Sequence, residues 1–134
     1  MSSYVFIDSS ADNISNVLTG LAPDTIVILL DPLVDGLTQI ANALAAEAGT
    51  VESIHIVAPG SEGTFTLGGT PITSAALGSP SPELAAMLAA MTTALTADGD
   101  ILLYGSNVGG GTAGSDFMNL LASLTGADVA ASSD

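Results

Sequence analysis

Apolar residues along the chain fall into short unbroken blocks: "YVFID" at 4–8, "TIVILLD" at 25–31, "SIHIV" at 53–57, "DILLYG" at 100–105 and "ADVAAS" at 127–132. They are rich in β-branched and aromatic types and do not alternate with polar residues, so they read as strands covered on both faces. That pattern predicts a parallel sheet with helices on either side. Between the blocks the period lengthens to that of a helix. "ADNISNVLTGL" spaces Ile14, Val17, Leu18 and Leu21 at helical intervals, and "DGLTQIANALAAEAG" does the same with Leu37, Ile40, Ala41 and Leu44 before Gly49. "SPSPELAAMLAAMTTALTADG" sets Pro82 in a first turn, carries Leu84, Met87, Leu88, Met91 and Leu95, and is predicted to end at Gly99. "AGSDFMNLLASLTGA" carries Phe117, Leu120, Leu121 and Leu124 and stops at Gly126.

The alternation β-α-β-α-β-(insert)-α-β-α-β predicts one domain over residues 1–134, a three-layer α/β sandwich around a mostly parallel, Rossmann-like five-stranded sheet with right-handed crossovers. The insert follows the third strand. In it "TFTL" and "TPIT" flank Gly68-Gly69, the signature of a small hairpin.

Charge narrows the function classes. The 134 residues hold 14 Asp and Glu and no Lys or Arg, a formal net charge of -14. Without a cation there is no arginine clamp and no phosphate-binding lysine, so polyanions are repelled and nucleic acid is excluded as a partner. The same charge argues against anionic lipid, and no apolar run approaches the roughly 20 residues of a membrane span. Only 10% of residues are charged against 48% hydrophobic, which leaves a surface of Ser, Thr, Asn, Gly and Ala. Such a surface suits packing against copies of itself, in a homo-oligomer or filament. Cysteine is absent, so there is no disulfide, thiolate nucleophile or thiolate metal site. This composition fits a secreted bacterial protein bathed in salt or calcium, although "MSSYVFID" has neither the basic start nor the apolar core of a signal peptide.

Ligands of such sheets bind at the C-terminal strand ends. Here those ends carry Asp8-Ser9-Ser10, Asp31-Pro32, Ala58-Pro59-Gly60 and Gly105-Ser106-Asn107. The run "GSNVGGGTAG" at 105–114 has glycines enough for an anion cradle but matches neither G-x-G-x-x-G nor a P-loop. A nucleophile elbow needs G-x-S-x-G, and Gly105-Ser106-Asn107-Val108-Gly109 is one residue short before the serine. The only histidine, His55, lies inside a predicted strand, where it reads better as a structural residue than as a base for Ser106. Asp8 and Asp31 end strands expected to be neighbours. They read first as caps of the helices that follow and only second as candidate Ca²⁺ ligands. No other cofactor is expected.

"VFIDSS" at 5–10, "IHIVAPGSEG" at 54–63, "LTADGDILLYGSNV" at 95–108 and "LTGADVAASSD" at 124–134 resemble the caspase-like domain of unknown function found near the start of very large bacterial surface and adhesin-type proteins. The resemblance runs over nearly the whole chain and implies a caspase-hemoglobinase fold. In that family the third strand ends Ser-His-Gly and the fourth Tyr-Gly-Cys-Asn, similar to a His/Cys peptidase dyad. This chain has Pro59 and Ser106 at the dyad positions, with Gly60, Gly105 and Asn107 retained around them and Asp8 where a specificity pocket would lie. A proline cannot accept a proton, and a hydroxyl without a base is a poor nucleophile. The expectation is a non-catalytic pseudoenzyme: an extracellular structural or interaction module, self-assembling in salt or Ca²⁺. The alternative is an autoprocessing cysteine-peptidase-like domain silenced at both positions.

Overall fold

Strand β1 (Ser2–Ile7) lies inside the principal sheet, whose order is β2-β1-β3-β7-β8. A computed structural model gives this fold and describes residues 2–11 and 23–131. Nearly all of the helix expected over residues 11–21, and the last residue of the strand expected over 127–132, lie outside them. The other strands of the sheet are β2 (Ile26–Leu29), β3 (Val51–Val57), β7 (Leu95–Tyr104) and β8 (Asp128–Ala131), every pair parallel. With helices flanking the sheet, this is the mostly parallel α/β sandwich that the apolar blocks imply.

Register divides the sheet's residues between two faces. Tyr4, Phe6, Ile54, Ile56, Ile101 and Leu103 share one face and form a single core with α1 (Gly36–Leu44), α3 (Pro82–Ala94) and α4 (Gly111–Thr125) through Leu37, Ile40, Leu88, Met91, Phe117 and Leu121. A smaller cluster of Val5, Ile7 and Val57, with Ala11 and Tyr104 against it, lies on the other face. Local chemistry sets helix boundaries. The Asp35 carboxylate accepts the Thr38 N–H at 3.0 Å ahead of α1, the Ser81 hydroxyl accepts the Leu84 N–H at 3.2 Å ahead of α3, and Gly126 closes α4 in the left-handed conformation.

The insert is larger than one hairpin. β5 (Thr64–Leu67) and β6 (Thr70–Thr73) pair antiparallel across Gly68 and Gly69, both at positive φ, and a short β4 (Gly60–Ser61) joins them in a second, three-stranded sheet. A short helix α2 (Ser74–Gly78) follows, its first turn capped by Thr73. The hairpin buries Phe65, Leu67 and Ile72 in the main core.

Three expectations are corrected. The helix read through to Gly99 stops at Ala94, and Leu95 already begins β7. Leu95 pairs with Val51 and is buried, while the ladder re-registers to Ser53–Asp100, so Thr96–Gly99 form a bulge. The helix expected to reach Gly49 ends at Leu44, and Gly49 instead turns the chain into β3 at φ +68°. Finally, β2 is not covered on both faces: Ile26, Val27 and Leu29 are exposed by 40%, 47% and 66% because β2 is the sheet's outer strand.

Candidate functional site

Two features meet at the C-terminal ends of the strands. The first is the crest between β3 and β7. Val57 pairs with Tyr104, and the Ala58 N–H donates to the Tyr104 carbonyl at 3.1 Å, which carries the ladder one step past the strands. A Cβ on Gly105 would lie 2.7 Å from the Ala58 carbonyl oxygen, so the two backbones touch there. Pro59 and Ser106, each the next residue along, therefore emerge from adjacent strand ends. The structure does bring these two positions to one crest. Pro59 is half-buried and its carbonyl accepts the Thr66 N–H at 2.8 Å, tying β5 to the crest; Ser106 is exposed.

The turn beyond Ser106 is packed too tightly for side chains. Asn107 takes a left-handed φ of 57°, and a Cβ on Gly110 would collide with its amide. A Cβ on Gly60 would strike the Val108 side chain. Glu62, which sequence reasoning did not single out, reaches over this turn. Its carboxylate accepts from Asn107 Nδ2 at 3.4 Å and lies 2.9 Å from where a Cβ of Gly111 would stand. That position is the first residue of α4, whose N-cap Gly110 offers no side chain, so the carboxylate complements the positive end of the helix. A signal existed: Glu62 is the only charged residue between His55 and Glu83.

The second feature is a cleft of about 250 Å³ lined by Asp8, Ser9, Ser10, Leu30, Asp31, Pro32 and the glycines 36, 68 and 69. It brings together Asp8 and Asp31, as their neighbouring strands require. Asp8 is buried, and its oxygens are taken: Oδ1 accepts the Ser10 N–H at 2.8 Å and Oδ2 the Gly68 N–H at 2.6 Å. Asp31 Oδ1 accepts the Leu33 N–H at 2.9 Å. Among the described residues no group of three or more His, Asp or Glu is placed to hold a metal. The geometry thus makes Asp8 a clamp between β1 and the β5–β6 hairpin.

His55 stands apart from both features. It is paired with Val5 and Leu102 in mid-sheet, and its Nδ1 lies 2.9 Å from the Tyr104 hydroxyl and its Nε2 3.1 Å from Ser53 Oγ. Ser53 in turn donates to Ser3 Oγ at 2.8 Å. With Ser53 donating to Ser3, Nε2–H donates to Ser53 and the Tyr104 O–H to Nδ1, so the contacts form one continuous hydrogen-bonded chain. Burial lowers the His55 pKa below its ordinary value, against a smaller raising effect of Asp100, and burial raises that of Tyr104. The imidazole is accordingly neutral at pH 7, with Nδ1 engaged by Tyr104 and Nε2 by Ser53. Its ring stacks on Tyr104 at a centroid distance of 5.7 Å. The structure thus places His55 within the sheet, with both ring nitrogens in contact with Tyr104 and Ser53.

The chain is an α/β domain of flavodoxin-like strand order whose crest sets Ser106 and Pro59 at adjoining strand ends. The chain belongs to the family described as a domain of unknown function, DUF4347, which it matches over residues 4–134. No curated protein and no solved structure matches the chain.

Proposed function

We propose that the chain is a non-catalytic structural and interaction module, extracellular and displayed at a bacterial surface, that associates with copies of itself when its carboxylates are screened. The observation that carries the reading is the composition of the crest. The two strand ends that the caspase-like resemblance would equip with a histidine and a cysteine present Pro59 and Ser106, and the one histidine is held in the sheet by Tyr104 and Ser53. Self-association is supported by the outward side of α3, where Ala85, Ala86, Ala89, Thr92 and Thr93 are exposed and no charge follows Glu83. Incubation with a mixed-sequence peptide pool should yield no hydrolysis. Hydrolysis that disappears in Ser106→Ala would overturn the non-catalytic part.

One observation favours a second reading, an autoprocessing cysteine-peptidase-like domain that has fallen silent: positions 59 and 106 do stand at adjoining strand ends. Under that reading Pro59→His combined with Ser106→Cys restores cleavage of a C-terminally extended chain, and neither single change does. Under the interaction-module reading all three variants stay intact.

A further inference from the structure

The outer strand β2 leaves part of its backbone unpaired by the sheet. The Leu30 N–H donates to the Ile7 carbonyl at 2.8 Å, and backbone groups alternate sides along a strand. Ile26, Ile28 and Leu30 therefore face β1, while the N–H and C=O groups of Val27 and Leu29 face outward, without a partner strand among the described residues. The side chains there are apolar and exposed. Natural edge strands are ordinarily blunted by lysine, proline or an inward-pointing charge; residues 25–30 contain none of these.

The loop that continues β2 is held open and rigid. Leu33 is 91% exposed, yet its N–H is fixed on Asp31 Oδ1, and the Gln39 side chain spans the loop with three hydrogen bonds, to the Asp31 N–H, the Asp31 carbonyl and the Val34 carbonyl, at 2.8, 2.9 and 3.0 Å. Val34 beside it is 48% exposed. A leucine pinned in water by a four-bond scaffold is preorganised as an anchor, since little freedom is left to lose when a partner covers it.

Charge decides what that partner is. The uncharged strand is bracketed by exposed carboxylates, Asp24 before it and Asp31 after it. A second copy paired antiparallel about Ile28 would set Asp31 of one chain beside Asp24 of the other at both ends, with no Lys or Arg on either chain to offset the repulsion. A foreign strand with basic ends would put a cation at each carboxylate. We propose that β2 is a docking edge for an extended segment of another protein, apolar in the middle with a lysine or arginine at each end, which adds a strand beside Val27 and Leu29 and covers Leu33. This goes beyond the self-association proposed above and uses a different face from α3.

The test titrates the chain with a short synthetic peptide of alternating valine and threonine between two terminal lysines, read by fluorescence anisotropy. Binding is expected that weakens about tenfold or more when the lysines are replaced by glutamates, and similarly in Asp24→Asn with Asp31→Asn, which keeps the oxygen that caps Leu33. It should vanish for the peptide N-methylated at its core amides and in Val27→Pro, which removes an outward N–H that β1 does not use. The methylated peptide decides the matter even if Val27→Pro fails to fold. Absence of binding to the parent peptide, or binding indifferent to methylation, would overturn the proposal. So would a dimer of the chain alone that Val27→Pro dissociates and the peptide cannot displace, because a second copy would then own the edge. Self-association that survives Val27→Pro while the peptide fails to bind would sink this inference and leave the self-assembly reading standing.

Discussion

Asp8 is a carboxylate withdrawn from water at 4% exposure, and each of its oxygens satisfies a backbone N–H, one local and one 60 residues away on the hairpin. Asp8→Ala would strand the Gly68 N–H and loosen the hairpin from β1. A loss of about 1.5–3 kcal/mol is expected for removing hydrogen bonds to a charged group, measured as a lower urea midpoint with an unchanged slope. His55 yields a prediction in pH. Its folded-state pKa lies below the unfolded value of roughly 6.5, so on acidification the unfolded chain takes up the proton first. Stability is then constant above that pH and declines as pH falls below it toward the folded-state pKa. His55→Gln should flatten the urea midpoint between about pH 7.5 and 5.5. A midpoint equally pH-dependent in both proteins would show that the carboxylates, not the imidazole, govern that window.

The crest and the hairpin are fixed at the scale of elements by where backbones touch. Gly63 and Gly49 share nearly the same left-handed φ, +67° and +68°, but a Cβ on Gly63 would lie 2.8 Å from the Ala113 carbonyl oxygen of α4 whereas one on Gly49 meets nothing. Gly49→Ala should therefore cost only the conformational penalty, about 1–2 kcal/mol. Gly63→Ala should cost clearly more, because the turn between β4 and β5 must also part from α4. Comparable unfolding midpoints for the two would refute the packing argument.

Much of this was legible in the chain beforehand. The five apolar blocks became the five strands, Gly68-Gly69 became the hairpin turn, and Gly126 closed α4, because each depends on local sequence alone. What was hidden depends on neighbours. The apolarity of "TIVILL" looked like burial on both faces, yet the outer place of β2 follows from topology, which no residue of β2 encodes. The end of α3 was misplaced by one turn since Leu95 fits the helical period as well as the strand that buries it. Asp8 and Asp31 were expected together and are, but only the fold shows the Gly68 N–H already in possession of one carboxylate oxygen. Glu62 and Gln39 act across loops and leave no periodic trace.

For the molecule as a whole the governing quantity is a charge of -14 with no positive side chain to offset it. Self-repulsion opposes both the compact state and any contact between copies, and it is screened within a Debye length of about 10 Å at 0.1 M salt. Unfolding midpoints should rise between low and moderate salt, with calcium more effective than sodium at equal ionic strength where it associates directly with carboxylate oxygens. The reading of the chain as a self-associating, non-catalytic module meets its most direct test in sedimentation velocity, run from low to high sodium chloride and again with added calcium. The account predicts monomers at low salt and a defined larger species as the carboxylates are screened. A single monomeric boundary under every condition would contradict it.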